Sequence, residues 1–179
     1  MTDRPERTPD ILGVVSRLPA GWGVIYRHFG AQDREEIAST LSQLAARRGL
    51  NLLIAADPAL ALKVGADGGH RPARLLPNRS GRCRFGLETA SAHNAQECRR
   101  AVRAGVDAVI MSPVFDSDSP SAGTPVGLPR FRSMAKTLPI PAYGLGGIGE
   151  TNAARLTSLT GDAIAGFAAV SSIHEAWKV

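Results

Sequence analysis

A glycine shortly before an apolar segment occurs three times along this chain, each time beside an aspartate. The three joints are Gly65-Ala66-Asp67, Gly105-Val106-Asp107 and Gly161-Asp162-Ala163. A glycine in this position is typical of a helix end, and a nearly continuous apolar run is typical of a strand buried on both faces. A joint of this kind, repeated, indicates consecutive βα units. The chain is therefore expected to fold as a parallel sheet covered by helices.

Seven strands and the helices between them follow from the apolar segments and the residues that separate them. The helix after the first strand is expected to begin at Asp33, with Glu36 completing a capping box, and to end at Gly49. Asp57 and Asn94 are expected to cap two later helices. The predicted strands cover residues 23–26, 51–55, 67–69, 85–89, 107–111, 141–145 and 163–169, and the other predicted helices cover 10–18, 57–65, 94–105, 128–138, 151–159 and a short C-terminal segment.

This order of elements fits a compact TIM-type (β/α)8 barrel of the α/β class, and residues 1–179 are expected to form one domain. An open doubly wound sheet has the same alternation, but the loops after the last two strands favour the barrel. The chain is short for this fold, since it has 179 residues where about 200 or more are usual. The first strand is truncated or missing: either the barrel has seven strands, or residues 1–3 are the remainder of a lost strand.

Composition and charge are those of a soluble protein with a small anionic partner. Hydrophobic residues make up 44% and charged residues 21%, and no apolar run approaches the ~18 residues of a membrane span. The first residues lack the apolar centre of a signal peptide, so a cytoplasmic location is expected. The net charge of +5 comes mostly from scattered arginines, without the stacking aromatics of a nucleic-acid groove. Neither a nucleic acid nor a membrane is an expected partner, and a homodimer is possible.

The two cysteines, Cys83 and Cys98, are far apart in the sequence and form no Cys-x-x-Cys pair. Both are expected to be ordinary packed thiols without a metal or disulfide role.

The clearest chemical feature is the pair Gly146-Gly147 at the end of a predicted strand. Paired glycines between a strand and a helix let backbone N–H groups approach an anion closely. The next strand leads to Ser171 and Ser172, which add hydroxyl and N–H groups at a second helix start. Loops after the last two strands bind phosphate in many barrels, so these four residues are predicted to bind phosphate. The alternative is that the glycines only make a tight turn and that Ser171 caps the last helix.

Six segments spread over most of the chain share their order and spacing with a known family. They are YRHFG (26–30), LLIAADPALALKVGADGGH (52–70), ASAHNAQE (90–97), AGVDAVIMSPVF (104–115), PIPAYGLGGI (139–148) and GFAAVSSI (166–173). Together they resemble thiamine phosphate synthase and its relative, the TenI-type thiazole tautomerase. The resemblance extends from about Gly21 to Ile173.

The resemblance implies a (β/α)8 barrel that couples hydroxymethylpyrimidine diphosphate with a thiazole phosphate, with Mg²⁺ helping the diphosphate to leave. By this resemblance Arg27 corresponds to a diphosphate-binding arginine and Asp57 to a magnesium ligand. Ser91 and His93 lie in the family's S-x-H segment, and Ser112 begins the segment that matches its G-P-V-F loop. The implied site therefore comprises the catalytic candidates Arg27 and His93, the thiazole-phosphate loops with Gly146, Gly147, Ser171 and Ser172, the pocket residues His70, Ser91 and Ser112, and the metal ligand Asp57.

Several positions depart from the family pattern. Ile25 and Phe29 stand where the family has glutamine and lysine, and Ala56 replaces the asparagine before the metal-binding aspartate. The family supplies a second metal carboxylate shortly after the position of His70, whereas residues 71–75 contain no acid. The lysine expected after the P-V-F segment is also absent from residues 116–121. Mg²⁺ is usually held by one or two carboxylates, so whether the chain is an active transferase stays open; Arg71 and Arg74 could supply part of the missing charge.

The candidate residues also have structural interpretations. Asp57 before Pro58 is a typical helix cap, and Arg27 could pair with a carboxylate such as Glu88. His93 could transfer protons, as a histidine does in the tautomerase, or could be structural. The remaining histidines, His28 and His174, are expected at the surface, and residues 116–125 are expected to form a mobile loop over the site.

Three functions therefore stay open. The first is thiamine phosphate synthesis, and the second is a tautomerase that uses His93 and needs none of the missing groups. The third is a barrel that binds a phosphorylated metabolite without catalysis.

Overall fold

A computed structural model describes residues 1–2, 8–76, 86–117, 119, 123–157, 161 and 163–176, with seven strands and seven α-helices among them. The strands are β1 (Gly23–Tyr26), β2 (Asn51–Ala55), β3 (Gly68–Arg71), β4 (Leu87–Ala92), β5 (Ala108–Met111), β6 (Ala142–Gly144) and β7 (Ile164–Phe167). The helices are α1 (Ile11–Val15), α2 (Arg34–Arg48), α3 (Pro58–Val64), α4 (Ala95–Arg103), α5 (Leu128–Lys136), α6 (Glu150–Thr157) and α7 (Ser171–Ala176), and a 3-10 turn covers Ala73–Leu75.

The strands follow one another in chain order in a single sheet, from β1 to β7. The pairing is parallel wherever a register is defined: β1 with β2, β2 with β3, and each neighbouring pair from β4 to β7. Parallel neighbours with a helical crossover are the expected outcome of repeated βα units. The prediction of an α/β fold with a parallel sheet is confirmed.

The chain divides into two compact units. The first unit comprises Met1–His70, Arg84–Glu88 and Val170–Val179, and the second comprises Arg71–Cys83 and Thr89–Ala169. The expectation of one domain over residues 1–179 stays a prediction.

Each unit has its own apolar core between strands and helices. In the first unit Tyr26 and Leu52 pack against Leu41 of α2, and all three side chains are fully buried. In the second unit Phe131 of α5 and Met111 of β5 are fully buried in a separate cluster. Small alanines complete both cores, as the scarcity of aromatic residues requires.

Most of the local helix signals act as the sequence indicates. Gly49 and Gly65 end α2 and α3 in the left-handed conformation, with φ of 65° and 66°. The Asn94 side chain accepts a hydrogen bond from the Glu97 N–H at 2.9 Å and so caps α4. Asp33 is different: it precedes α2, but its side chain makes no capping hydrogen bond. Its backbone, at φ −90° and ψ 12°, is not in the extended conformation that capping favours, so the predicted capping box is wrong.

Five strands, β3 to β7, begin one or two residues later than expected, and the cause at β3 is a side chain. Asp67 lies before β3, and its carboxylate accepts a hydrogen bond from the Leu52 N–H at 2.7 Å. The residue therefore joins two neighbouring strands through its side chain, and β3 runs over 68–71 instead of 67–69. The next strand, β4, extends to Ala92 and so includes Ser91, whereas Phe85 lies outside the described residues.

The start of the chain pairs with β1. The Thr2 N–H donates to the carbonyl oxygen of Ile25 at 2.9 Å, and the Thr2 hydroxyl oxygen accepts from the Arg27 N–H at 2.7 Å. Thr2 is only 2% exposed. Thr2 belongs to no strand and residue 3 lies outside the described residues, so the remainder of a first strand at residues 1–3 stays a prediction.

Two minor expectations have clear outcomes. The prediction that His28 lies at the surface is wrong, because it is buried, contacts the Thr8 hydroxyl at 2.7 Å and packs on the Tyr26 ring. Cys98 is buried and in no disulfide, as expected, and burial raises the pKa of its thiol to about 11. Cys83 and the side chain of His174 lie outside the described residues.

Candidate active site

The first part of the candidate site lies at the carboxyl ends of β1 and β2, within the first unit. Arg27 directly follows β1, Asp57 follows β2 by two residues, and Arg34 is the first residue of α2. The guanidinium of Arg34 donates from Nη1 to Asp57 Oδ2 at 2.6 Å and from Nη2 to the carbonyl oxygen of Ala55 at 3.0 Å. Ligands of parallel α/β sheets bind at this edge, so the pair occupies a functional position.

Asp57 is a helix cap, as the sequence predicts. Its Oδ1 atom accepts a hydrogen bond from the Leu60 N–H at 2.9 Å, at the start of α3. That hydrogen bond, followed by the hydrogen bond and charge of Arg34, lowers the pKa of the Asp57 carboxyl from its ordinary value of 3.8. Asp57 is therefore a carboxylate at neutral pH, and each of its oxygens already has a partner.

The residues at Asp57 do not fit a magnesium ion. Mg²⁺ requires several oxygen ligands in near-octahedral geometry, usually including one or two carboxylates. Asp57 contacts a guanidinium nitrogen through Oδ2 and accepts the Leu60 N–H through Oδ1. Over the described part of the chain, no three His, Cys, Asp or Glu side chains are grouped so that they could hold a metal ion.

Two arginines converge on the ring of Phe29. The guanidinium carbons of Arg27 and Arg34 lie 5.7 and 5.6 Å from its centre, which is within the range of a cation–π contact. The ring itself is 46% exposed. Phe29 stands where the family pattern has a lysine. An aromatic ring that two guanidinium groups contact therefore takes the place of one ammonium group.

His70 lies in β3 and is only 3% exposed. Burial, and secondarily the positive charge of Arg27, lower the pKa of its imidazole to about 3. The ring is therefore neutral near pH 7. Its role as a pocket residue stays a prediction.

Gly146 and Gly147 follow β6 in the second unit and require glycine for a steric reason. Both have positive φ, 97° and 64°. A Cβ atom at Gly146 would lie 2.7 Å from the Cβ of Pro113, and one at Gly147 would overlap the carbonyl oxygen of Asp116. The loop after β5 packs closely on this turn and donates a hydrogen bond from the Phe115 N–H to the Gly146 carbonyl oxygen at 3.1 Å.

The N–H groups of the same two glycines are available for an anion. No described residue accepts a hydrogen bond from the N–H of Gly146 or Gly147. The turn is therefore both a tight structural turn and a pair of N–H donors at the carboxyl end of a strand. These are the two properties that phosphate binding by a glycine-rich loop needs.

His93 and Ser112 come together in the second unit, as the resemblance implies. The His93 Nδ1 atom lies 2.7 Å from the carbonyl oxygen of Ser112 and 3.3 Å from its hydroxyl. Because a carbonyl oxygen can only accept, Nδ1 carries the proton in the neutral ring and Nε2 carries the lone pair. The backbone N–H of His93 donates to Glu97 Oε2 at 2.7 Å, which fixes the residue at the start of α4. Ser91 lies two residues earlier, in β4.

Ser171 and Ser172 are the first two residues of α7 and belong to the first unit. Their joint phosphate site with Gly146 and Gly147, which belong to the second unit, stays a prediction.

Sequence reasoning missed Arg34. The signal was present, because a cation in the first turn of a helix opposes the helix dipole and calls for another partner. Two acids, Glu35 and Glu36, follow it in that turn. The buried Nε atom of Arg34 has no hydrogen-bond partner in the described structure.

Comparison with known proteins identifies the family to which these features belong. The family model described as thiamine monophosphate synthase matches residues 7–173. The chain belongs to the thiamine monophosphate synthase family. A thiamine-phosphate synthase of Chloroflexus aurantiacus is 36% identical over 152 residues, which cover 82% of this chain and 70% of that protein. One of Listeria monocytogenes is 31% identical over 160 residues, which cover 83% of this chain and 72% of that protein.

The fold of this family member is also found among solved structures. A thiamine phosphate pyrophosphorylase from Pyrococcus furiosus matches with a TM-score of 0.81 at 24% identity, covering 98% of this chain and 88% of that one. The predicted TIM-type α/β class is thus confirmed. Within the described residues, no helix is both long enough and apolar enough to span a lipid bilayer.

Proposed function

We propose that this chain is a thiamine-phosphate synthase, which couples hydroxymethylpyrimidine diphosphate with a thiazole phosphate. The observation that carries the proposal is the family match over residues 7–173, together with synthase relatives at 36% and 31% identity. Those relatives favour coupling over the tautomerase reaction and over binding without catalysis. The substrates are small phosphorylated heterocycles, and we propose that the reaction takes place in the cytoplasm.

In the proposed reaction, a bond to the thiazole forms as the bond from the pyrimidine's methylene carbon to the diphosphate breaks. Negative charge develops on the departing diphosphate, so fixed N–H donors at this position stabilise the transition state. Arg27 is proposed to supply such donors, because it directly follows β1 and its guanidinium contacts the Phe29 ring, as that of Arg34 does. A guanidinium matches phosphate oxygens with a rigid, permanently charged set of donors.

The thiazole phosphate is proposed to bind at the turn of Gly146 and Gly147. Support comes from two N–H groups without a described acceptor and from the close packing that holds the turn rigid. Ser171 and Ser172 are proposed to take part as the family resemblance implies. His93 and Ser112 are proposed as polar groups of the substrate pocket, with Nε2 of His93 as a hydrogen-bond acceptor.

The test is a coupling assay on the purified full chain. Both substrates are supplied, once with Mg²⁺ and once with EDTA, and thiamine phosphate is measured by oxidation to a fluorescent thiochrome. Product is expected in the wild type and is expected to fall by at least about 10-fold in Arg27→Gln, in line with the loss of a charged hydrogen bond. The matched control is Arg47→Gln, since Arg47 is an exposed arginine in the last turn of α2 and should leave the rate unchanged.

Absence of product under both conditions, in a soluble and folded wild type, would overturn the proposal. A strain that lacks its own synthase gives a second readout, because the chain should then restore growth without thiamine.

A further inference from the structure

We propose that the guanidinium of Arg34 takes the place of a magnesium ion at Asp57, so that this chain binds diphosphate without a divalent cation. The identity of the anion rests on the proposed function. The inference names Arg34 as a binding residue and changes Asp57 from a metal ligand to a positioning residue.

Both carboxylate oxygens of Asp57 already accept hydrogen bonds. Oδ1 accepts from the Leu60 N–H at 2.9 Å, and Oδ2 accepts from Arg34 Nη1 at 2.6 Å. A magnesium ion binds a carboxylate oxygen at about 2.0–2.1 Å and carries two positive charges. At Oδ2 these two charges would lie beside the positive guanidinium, which is also bound to the carbonyl oxygen of Ala55. A cation therefore already neutralises this carboxylate.

The sequence around Asp57 lacks the further oxygen ligands that a magnesium ion needs. Residues 71–87 contain no aspartate or glutamate, so the chain offers no acid where the family pattern has a second carboxylate. Ala56 stands where that pattern has an asparagine, and its side chain offers no oxygen. Ala56 nevertheless has φ of 57°, a left-handed conformation that asparagine adopts more readily than alanine. The backbone at residue 56 would thus accept an asparagine, but the side chain present offers no metal ligand.

The guanidinium of Arg34 is held in a fixed position by its contacts. Its two terminal nitrogens hold Asp57 and Ala55, which fixes the plane of the guanidinium beside the ring of Phe29. Its Nε atom is buried and has no hydrogen-bond partner in the described structure. Arg27 contacts the same ring, so two guanidinium groups lie against one half-exposed aromatic side chain near the ends of β1 and β2. A diphosphate carries enough charge and enough acceptor oxygens to bind more than one guanidinium.

The test measures binding of inorganic pyrophosphate to the full chain by isothermal titration calorimetry. In EDTA the wild type is expected to bind, and excess Mg²⁺ is expected to change the dissociation constant by less than about threefold, after correction for the magnesium–pyrophosphate complex in solution. Arg34→Gln is expected to weaken binding in EDTA by at least about 10-fold, since a hydrogen bond between charged groups contributes this much or more. Arg47→Gln, which removes one exposed arginine from the other end of α2, should bind like the wild type.

The inference would be overturned if wild-type binding needed Mg²⁺, if pyrophosphate bound under neither condition, or if Mg²⁺ alone bound to the wild type and not to Asp57→Asn. The two wild-type titrations decide the metal question even if Arg34→Gln fails to fold, which circular dichroism would show. The coupling assay separates this inference from the proposed function. Product formed only with Mg²⁺ would support the synthase and refute the role of Arg34, whereas pyrophosphate binding in EDTA without any product would do the reverse.

Discussion

Replacing Gly147 with alanine tests whether the turn after β6 depends on close contact with the loop after β5. The φ of Gly147 is 64°, and a left-handed conformation costs an alanine about 1–2 kcal/mol. An added Cβ would also lie 2.9 Å from the carbonyl carbon of Asp116, where ordinary contacts between carbons are about 3.5–4.0 Å. The 113–116 backbone would have to move, and its hydrogen bond from Phe115 to Gly146 would weaken.

The expected loss is the sum of a backbone part and a steric part. Overpacking of a tight contact costs about 1–3 kcal/mol, so Gly147→Ala should lower the free energy of unfolding by about 2–5 kcal/mol. For a chain of this size, a loss of about 3 kcal/mol corresponds to a fall in Tm of roughly 6–12 °C. Urea unfolding followed by circular dichroism measures the change directly.

Two control variants separate the two parts. Gly149→Ala changes a glycine two residues away that has no positive φ and no atom within 4 Å of an added Cβ, so the change should stay within about 0.5 kcal/mol. Gly65→Ala has the positive φ, 66°, without any close atom, and should show only the backbone part. If Gly147→Ala lost no more stability than Gly65→Ala, the close approach of Asp116 would not be the reason for the glycine, and the argument would fail.

Three further substitutions test single features of the first unit. His70 has a pKa near 3 when folded against an ordinary 6.5, so the unfolded chain takes up the proton first and stability falls as the pH drops below 6.5. This loss of stability should reach about 2 kcal/mol at pH 5. His70→Gln should reduce the decrease in the unfolding free energy between pH 7 and pH 5, as measured by urea unfolding. An unchanged pH dependence would contradict a lowered pKa at His70. The buried Tyr26 hydroxyl has no described hydrogen-bond partner, so Tyr26→Phe should leave the unfolding free energy unchanged or raise it by up to about 1 kcal/mol, and a loss above 1 kcal/mol would show that the hydroxyl has a partner. Ala56→Asn should raise the unfolding free energy by about 0.5–1 kcal/mol because asparagine tolerates φ of 57°, whereas a destabilised variant would contradict strain at this position.

The parts of the fold that the sequence predicts are those decided by neighbouring residues. Gly49 and Gly65 end helices because glycine alone adopts the left-handed conformation without steric cost, and this needs no knowledge of the rest of the chain. Asn94 caps α4 through a residue three positions later, which is also a local contact. The same local rule failed at Asp33, because the loop entering α2 sets a backbone conformation that the rule does not contain.

The parts that sequence reasoning missed depend on residues distant along the chain. His28 is buried because Thr8, 20 residues earlier, satisfies its ring nitrogen. Asp67 delays the start of β3 because its carboxylate bonds to Leu52, 15 residues earlier. Arg34 and Asp57 are 23 residues apart, and the sequence around each of them does not indicate the other as its partner. The sequence therefore predicts which strand ends carry the candidate site residues, but it does not predict which of these residues contact one another.

The departures at Asp57 explain one another when they are considered together. A single carboxylate with no second acid nearby binds Mg²⁺ weakly, whereas a charged hydrogen bond to a guanidinium needs only one carboxylate. Loss of the asparagine side chain at Ala56 and of the second acid both reduce affinity for a metal and leave the Arg34 pair untouched. Because a guanidinium nitrogen of Arg34 lies 2.6 Å from Asp57 Oδ2, the arginine would repel a metal ion bound to that oxygen. With the arginine in place, further acidic side chains would have no metal ion to bind. The substitutions therefore agree with the proposed arrangement, in which a guanidinium takes the place of a metal ion at Asp57.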